Sequence, residues 1–326
     1  MNVTATQPAS RHLMKVAAYL ARFGIVVSFV VLIVALAASN QYFLTEANLL
    51  NVLRQVSING ILAIGMTFVI LTGGIDLSVG SILAIAGTVG ATLVTGSEPH
   101  SVLLATLASV AVGTVFGMIN GGLIAVTALQ PFVATLGMLS AARGVTLLYS
   151  DGRPIASLSA SFKLLGQGSF LGIPGPALVF AAVALAGWIV LRFSVFGRHV
   201  YAVGGNARSA RTSGVAVRKV KFSVYVLMGA LAGLAGAVLT SRTSAAVPQA
   251  GLGYELDAIA SVVIGGTSLT GGIGKIGYTV LGVFIIGIIS NGLDILGVSS
   301  YYQQILKGTI IIIAVLIDKS RHQLAD

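Results

Sequence analysis

The sequence predicts an all-α, polytopic integral membrane protein of about ten transmembrane helices, with both termini cytoplasmic and a single domain over residues 1–326. Three observations carry this. First, 56% of the residues are hydrophobic and only 9% charged, with a mean hydropathy of +0.98. A soluble domain carries roughly 25% charged residues, so this chain cannot coat a water-exposed fold. Second, apolar stretches near the ~20 residues that one crossing needs recur along the whole chain. Third, Lys and Arg fall mostly into alternate connections, as they do on the cytoplasmic side of membrane proteins.

Hydropathy places spans near 23–39, 57–73, 77–96, 101–126, 131–149, 177–191, 222–241, 257–273, 276–293 and 302–317. Ten spans leave both termini on one side. With that side inside, Arg11, Lys15, Arg22, Arg192, Arg198, Arg208, Arg211, Arg218, Lys219, Lys221, Lys275, Lys319 and Arg321 are inner, 13 of the 19 basic residues. Outer loops keep Arg54, Arg153, Lys163 and Arg242, beside six carboxylates, while Arg143 and Lys307 fall within spans. The net charge of +10 therefore reads as topology rather than as affinity for nucleic acid. No cysteine is present, which excludes disulfides, thiolate metal sites and Cys nucleophiles.

The first span follows three basic residues and ends in Ala35-Leu36-Ala37, a triplet that can mimic a signal-peptidase site. Nine further spans favour a retained first helix.

The second span ends in Thr72-Gly73-Gly74-Ile75-Asp76-Leu77-Ser78-Val79-Gly80. Gly73 and Gly74 can break the helix, and Asp76 can cap the next one, accepting hydrogen bonds from the exposed N–H groups of its first turn. The alternative is that Asp76, with Ser78, lines a permeation path. A similar apolar run, 263–273, ends in Thr270-Gly271-Gly272-Ile273, which is compatible with a parallel internal duplication or with convergent helix ends.

Gly113-x-x-x-Gly117-x-x-x-Gly121 and Gly229-x-x-x-Gly233 are close-packing faces, expected inside the bundle, with a subunit interface as the alternative. Arg143 lies toward the outer end of the fifth span. It is expected to snorkel, or to pair with Asp151 or another polar group.

The inner connection 192–221 is the longest, with seven Lys or Arg. Asn206 is a good N-cap, Ala207 to Ser213 can make two turns, and Gly214 is a good stop. Arg208 and Arg211, three apart, share a face. That face suits either an acidic groove on a partner or anionic lipid head groups.

Gly271-Gly272-Ile273-Gly274-Lys275 is the nearest approach to a phosphate-binding loop, and it fails: Leu269 stands at the first required glycine and Ile276 replaces the Mg²⁺-binding hydroxyl. No H-E-x-x-H or G-x-S-x-G occurs, so neither a self-powered pump nor an intramembrane hydrolase is supported. An ion-coupled carrier would bury several carboxylates, and only Asp76 qualifies.

At this point Gly65-Met66-Thr67-Phe68-Val69-Ile70-Leu71-Thr72-Gly73-Gly74-Ile75-Asp76-Leu77-Ser78-Val79-Gly80-Ser81 resembles the signature of permease subunits of ribose-type ABC importers. Four further ordered blocks resemble the same family: Pro131 to Met138, Arg143-Gly144 with Ser150 to Ile155, Phe196 to Asn206, and Tyr254 to Ala260. The resemblance covers almost the whole chain. It implies a multi-pass subunit of the bacterial inner membrane with no cofactor or catalytic site of its own, importing a monosaccharide. It also implies three partners: a cytoplasmic ATP-binding subunit, a periplasmic sugar-binding protein and a second permease copy or paralogue. The 192–221 connection then corresponds to the coupling loop, with Asn206, Arg208, Arg211 and Gly214 in the contact. An ion-coupled sugar carrier working without an ATPase is the alternative function.

Overall fold

A computed structural model describes residues 8–96 and 98–323, with side chains described for 24–96, 98–313 and 316. Arg11, Lys15, Arg22, Lys319 and Arg321, which enter the charge argument, have side chains outside this set.

Each of the ten predicted spans carries a helix: α1 (Pro8–Ser39), α2 (Glu46–Leu71), α3 (Val79–Thr92), α4 (Val102–Val126), α5 (Pro131–Tyr149), and, beyond a short helix α6 (Ala160–Gln167) and the two-stranded turn β1 (Ser169–Phe170) and β2 (Ile173–Pro174), α7 (Gly175–Phe193). The connection 192–221 is itself helical, with α8 (Val195–Gly205) and α9 (Ala207–Thr212). The chain continues through α10 (Val217–Thr243), α11 (Tyr254–Ile264), α12 (Ile276–Ile295) and α13 (Ser300–Gln323).

Local chemistry accounts for several boundaries. The Ser101 side chain accepts from Leu104 N–H at the start of α4, and Pro131 opens α5 at a position where its missing N–H costs nothing. Helix α2 begins 11 residues before the predicted 57, so Arg54, expected in an outer loop, lies half-buried on its early turns. Polar residues such as Asn48 and Asn51 hide this extension from a hydropathy window.

Among the described residues six helices, α2, α4, α5, α7, α10 and α12, are long and apolar enough to cross a membrane. Helices α3 and α11 have only 14 and 11 residues, about 21 and 17 Å at 1.5 Å per residue. Both fall short of a ~30 Å hydrocarbon core. The predicted span 257–273 is thus corrected to a helix that stops at Gly265, where Gly266 takes φ +77°.

Helix α2 forms the centre, buried almost continuously from Val56 to Leu71, and α10 packs on it and on α3 and α4. The two glycine motifs meet each other. A Cβ added at Gly113 would run into Gly229 O and stand 2.7 Å from Gly233 N, and one at Gly117 would lie 3.1 Å from Gly229 Cα. This is their only use among the described contacts: an internal seam, as expected. Away from that seam α4 exposes Leu103, Leu107 and Met118, and α1 exposes Val27, Val31 and Val34. Such apolar surface suits lipid and not water.

Connections gather at two ends. At one, Ser159 N–H bonds Val94 O, Ile155 pairs with Ala246, and the Gln167 side chain reaches Arg242 O. At the same end Asn48 and Asn291 exchange side-chain hydrogen bonds, and Lys307 pairs with Asp257 at 2.8 Å. The other end holds the termini of α2 and α11, the start of α12, and α8.

Candidate functional site

Two features were picked out by residue type, and the structure gives each a geometry. The first is the break after α2. Gly73, at φ +74°, donates to Ile70 O (2.8 Å), and Gly74 N–H donates to Val69 O (3.1 Å). This paired closure satisfies two of the free carbonyls that end a helix. Gly74 must also lack a side chain because Tyr225 Oη would lie 2.5 Å from its Cβ.

Asp76 sits just past this stop with no accessible surface. Its Oδ1 accepts from Ser78 N–H (2.9 Å) and from Ser78 Oγ. Ser78 occupies the N-cap position of α3 and makes no side-chain cap of its own, so Asp76 binds the residue at the helix start rather than capping the helix as expected. The reason is spacing: Asp76 stands two residues before the N-cap position, so its carboxylate meets the Ser78 N–H rather than those of the first turn. Asn120 Nδ2 of α4 donates to Ser78 Oγ (2.9 Å), while Ile75 O accepts from Thr135 Oγ1 (3.3 Å) and Tyr225 Oη (3.4 Å). The break is therefore pinned by α4, α5 and α10 together. Asp76 Oδ2 and Asn120 Oδ1 are buried acceptors with no hydrogen-bond partner among the described residues.

Asn120, Thr135 and Tyr225 were not singled out from the sequence. A polar Asn in the middle of the otherwise apolar α4 was the available signal, since intramembrane polar groups are costly unless satisfied.

The second feature is α9. Asn206 Oδ1 accepts from Ser209 N–H at 2.9 Å, the N-cap expected from its residue type. The helix ends at Thr212, one residue earlier than read, with Ser213 as C-cap. Gly214 takes φ +86°; its N–H donates to Arg211 O (3.0 Å), and Val215 N–H donates to Ala210 O (3.0 Å). Ala210 faces inward, while Arg208 and Arg211 are both exposed, with no carboxylate partner among the described residues. Helix α9 thus presents two unpaired guanidinium groups on a rigidly capped element.

The second Thr-Gly-Gly-Ile does not repeat the role of the first. Helix α11 is stopped by Gly265 and Gly266, and Thr270 to Ile273 form a separate turn beyond it, with Gly271 N–H donating to Ser268 O. The two copies differ in place: one ends a helix, and the other follows an end already made. Arg143 reaches other polar groups rather than Asp151. Its Nη1 donates to Pro248 O and to Ala250 O (3.0 Å), while Asp151 stands 3.9 Å from Arg153. Arg143 therefore clamps the loop between α10 and α11. Among the described residues no cluster of three His, Asp or Glu is placed to hold a metal ion.

Comparison with known proteins places these features in context. Residues 48–315 match the family described as "Branched-chain amino acid transport system / permease component". The chain is 49% identical over 303 residues to the ribose import permease protein RbsC of Bacillus subtilis (strain 168), covering 92% of this chain and 93% of that one. It is 44% identical over 282 residues to the D-allose transport system permease protein AlsC of Escherichia coli (strain K12), covering 86% of each. It is 39% identical over 300 residues to the L-arabinose ABC transporter permease protein AraH of Azospirillum brasilense, covering 92% and 88%. No solved structure matches.

Proposed function

The chain belongs to the branched-chain amino acid transport system / permease component family, and from that premise we propose that it is the membrane-spanning subunit of an ABC importer for ribose or a related monosaccharide. The observation that carries this is the 49% identity to a ribose import permease over nearly the full length of both chains. The allose and arabinose permeases extend the substrate class to monosaccharides. They favour ATP-driven import over the ion-coupled alternative. The protein contributes the path and no hydrolytic chemistry.

A division of labour follows. A separate ATP-binding subunit docks from the cytoplasm on α9 through Arg208 and Arg211, with Asn206 and Gly214 holding that helix in shape. A periplasmic sugar-binding protein delivers the sugar to the opposite end, and a second permease copy or paralogue completes the channel within the inner membrane. The reading of ten crossings with cytoplasmic termini rests on where the connections gather, with the short helices α3 and α11 reaching across only together with the non-helical segments 72–78 and 265–272 that flank them. Segments assigned inside, the ends of α2 and α11 and the whole of α8, lie together, and the outer-assigned Val94, Ser159, Ile155, Ala246, Gln167 and Arg242 meet one another, while the 244–253 connection between α10 and α11 reaches back to Gly80 at the start of α3. Gly73 and Gly74 break the α2–α3 hairpin, and Asp76 with Ser78 holds the break against α4, α5 and α10, where a change of conformation would open a path.

The test is uptake in reconstituted vesicles. Ribose, allose and arabinose are offered in turn, with the ATP-binding subunit and the sugar-binding protein present or omitted. Uptake of at least one sugar that requires ATP and both partners is the expected result. Uptake driven by an ion gradient with no ATP-binding subunit, or specific ATP hydrolysis by the isolated chain, overturns the reading.

A further inference from the structure

The two Thr-Gly-Gly-Ile turns lie far apart in the chain and touch in the fold. Gly272 N–H donates to Leu71 O at 3.0 Å, filling one of the carbonyls left open by the last turn of α2. Helix α8 is seated on this contact. A Cβ built on Gly204 would run into Leu71 O and stand 2.5 Å from Gly272 N, and one built on Gly272 would lie 2.8 Å from Gly205 Cα. Three stretches of backbone therefore meet with no side chain between them.

Two further contacts fasten α8 to the same pair of elements. One turn before Gly204, Tyr201 Oη donates to Gly274 O at 2.8 Å. Near the start of α8, Phe196 stacks on Phe68 of α2, with centroids 6.3 Å apart and planes at 20°. At its other end α8 joins α9 through a single residue. Asn206 N–H closes α8 on Ala202 O (3.1 Å), while the Asn206 side chain caps α9. No flexible linker separates the exposed arginines from the glycine contact.

We propose that α8 is the lever that carries displacement of α9 to the ends of α2 and of the 268–274 turn, with Gly204 and Tyr201 as its positioning residues. This rests on the reading of the chain as an ATP-driven permease and adds the route by which the drive reaches the bundle. A backbone-to-backbone contact at Gly204 transmits movement with little slack, because packed interiors yield by discrete rearrangement rather than by compression. The two glycine turns then move as one unit, although neither is close to the other in sequence.

The experiment uses the full complex in vesicles and reads two quantities: sugar moved per ATP hydrolysed, and the ATP-binding subunit retained on purification. Wild type with ribose, allose or arabinose sets the reference, and absence of ATP-dependent uptake there refutes the importer reading and the lever with it. Tyr201→Phe removes one oxygen, and the ratio is expected to fall about fivefold with the ATP-binding subunit still bound. Gly204→Ala forces the backbones apart, and a fall of at least about tenfold is expected. If Gly204→Ala fails to reach the membrane, Tyr201→Phe alone decides. A wild-type ratio in Tyr201→Phe overturns the lever. So does a loss of uptake in step with loss of the bound ATP-binding subunit, since α8 would then be part of the docking surface only.

Discussion

Gly113 of α4 and Gly229 of α10 stand backbone to backbone: a Cβ on either would run into the other's carbonyl oxygen. Two motifs more than a hundred residues apart thus form one seam, and α10 is the helix that ties α4 to the buried centre. Overpacking a seam of this kind costs about 1–3 kcal/mol or more. Gly229→Val is expected to lower the melting temperature of the detergent-purified protein and its abundance in membranes. Gly122→Ala, where nothing lies within 4 Å of an added Cβ, is expected to change neither. An unchanged melting temperature in Gly229→Val would remove the seam as a source of stability.

Asp76 and Ser78 are bound to each other and to Asn120 in a fully buried site. Asp76→Asn keeps an oxygen where Oδ1 accepts from Ser78, so normal membrane abundance and most uptake should survive. Asp76→Ala leaves the Ser78 N–H buried and unpaired, at a cost of about 1–3 kcal/mol. Parallel measurement of abundance, thermal stability and sugar uptake separates two roles. An Asn variant that reaches the membrane normally but carries no sugar would make Asp76 part of the path instead.

Arg208→Glu combined with Arg211→Glu reverses the charge of the exposed α9 face. Single exposed ion pairs contribute only about 0–1 kcal/mol, but a pair desolvated at an interface contributes more. The double variant is expected to insert normally while losing most of the ATP-binding subunit on co-purification, and uptake with it. Gly214→Val should behave similarly, because a β-branched residue resists the φ of +86° that closes α9. Retention of both the ATP-binding subunit and uptake in the double variant would move the docking site elsewhere.

The cysteine-free chain is itself a tool for testing sidedness. Single cysteines at Gly96 and Leu171 should react with an impermeant thiol reagent added to intact cells. One at Ser209, exposed on α9, should react only after the membrane is opened. Labelling of Ser209→Cys from outside would invert the assigned orientation.

Much of the architecture was legible in the residues because lipid imposes a simple rule. A backbone in hydrocarbon must satisfy its own hydrogen bonds, so long apolar runs become helices. The span 131–149 was read to the residue, since Pro131 opens it and polar residues follow it. The α9 caps were legible for a related reason: Asn206 and Gly214 act on their immediate neighbours, within four residues. Helices α2 and α11 were misread at one end each. Polar residues extend α2 outward, and glycines end α11 inside an otherwise apolar run, and a hydropathy window sees neither.

The sequence by itself therefore determined the class of fold and the local caps of α9, which depend on composition or on short-range hydrogen bonds. Only the tertiary structure decided which helices meet. It seated Gly113 on Gly229, pinned the Asp76 break with Asn120, Thr135 and Tyr225, and laid Gly204 across Leu71 and Gly272. Those contacts join residues far apart in the chain, where no spacing rule operates. Each is selected by close packing of backbones and by the need to satisfy every polar group buried among them.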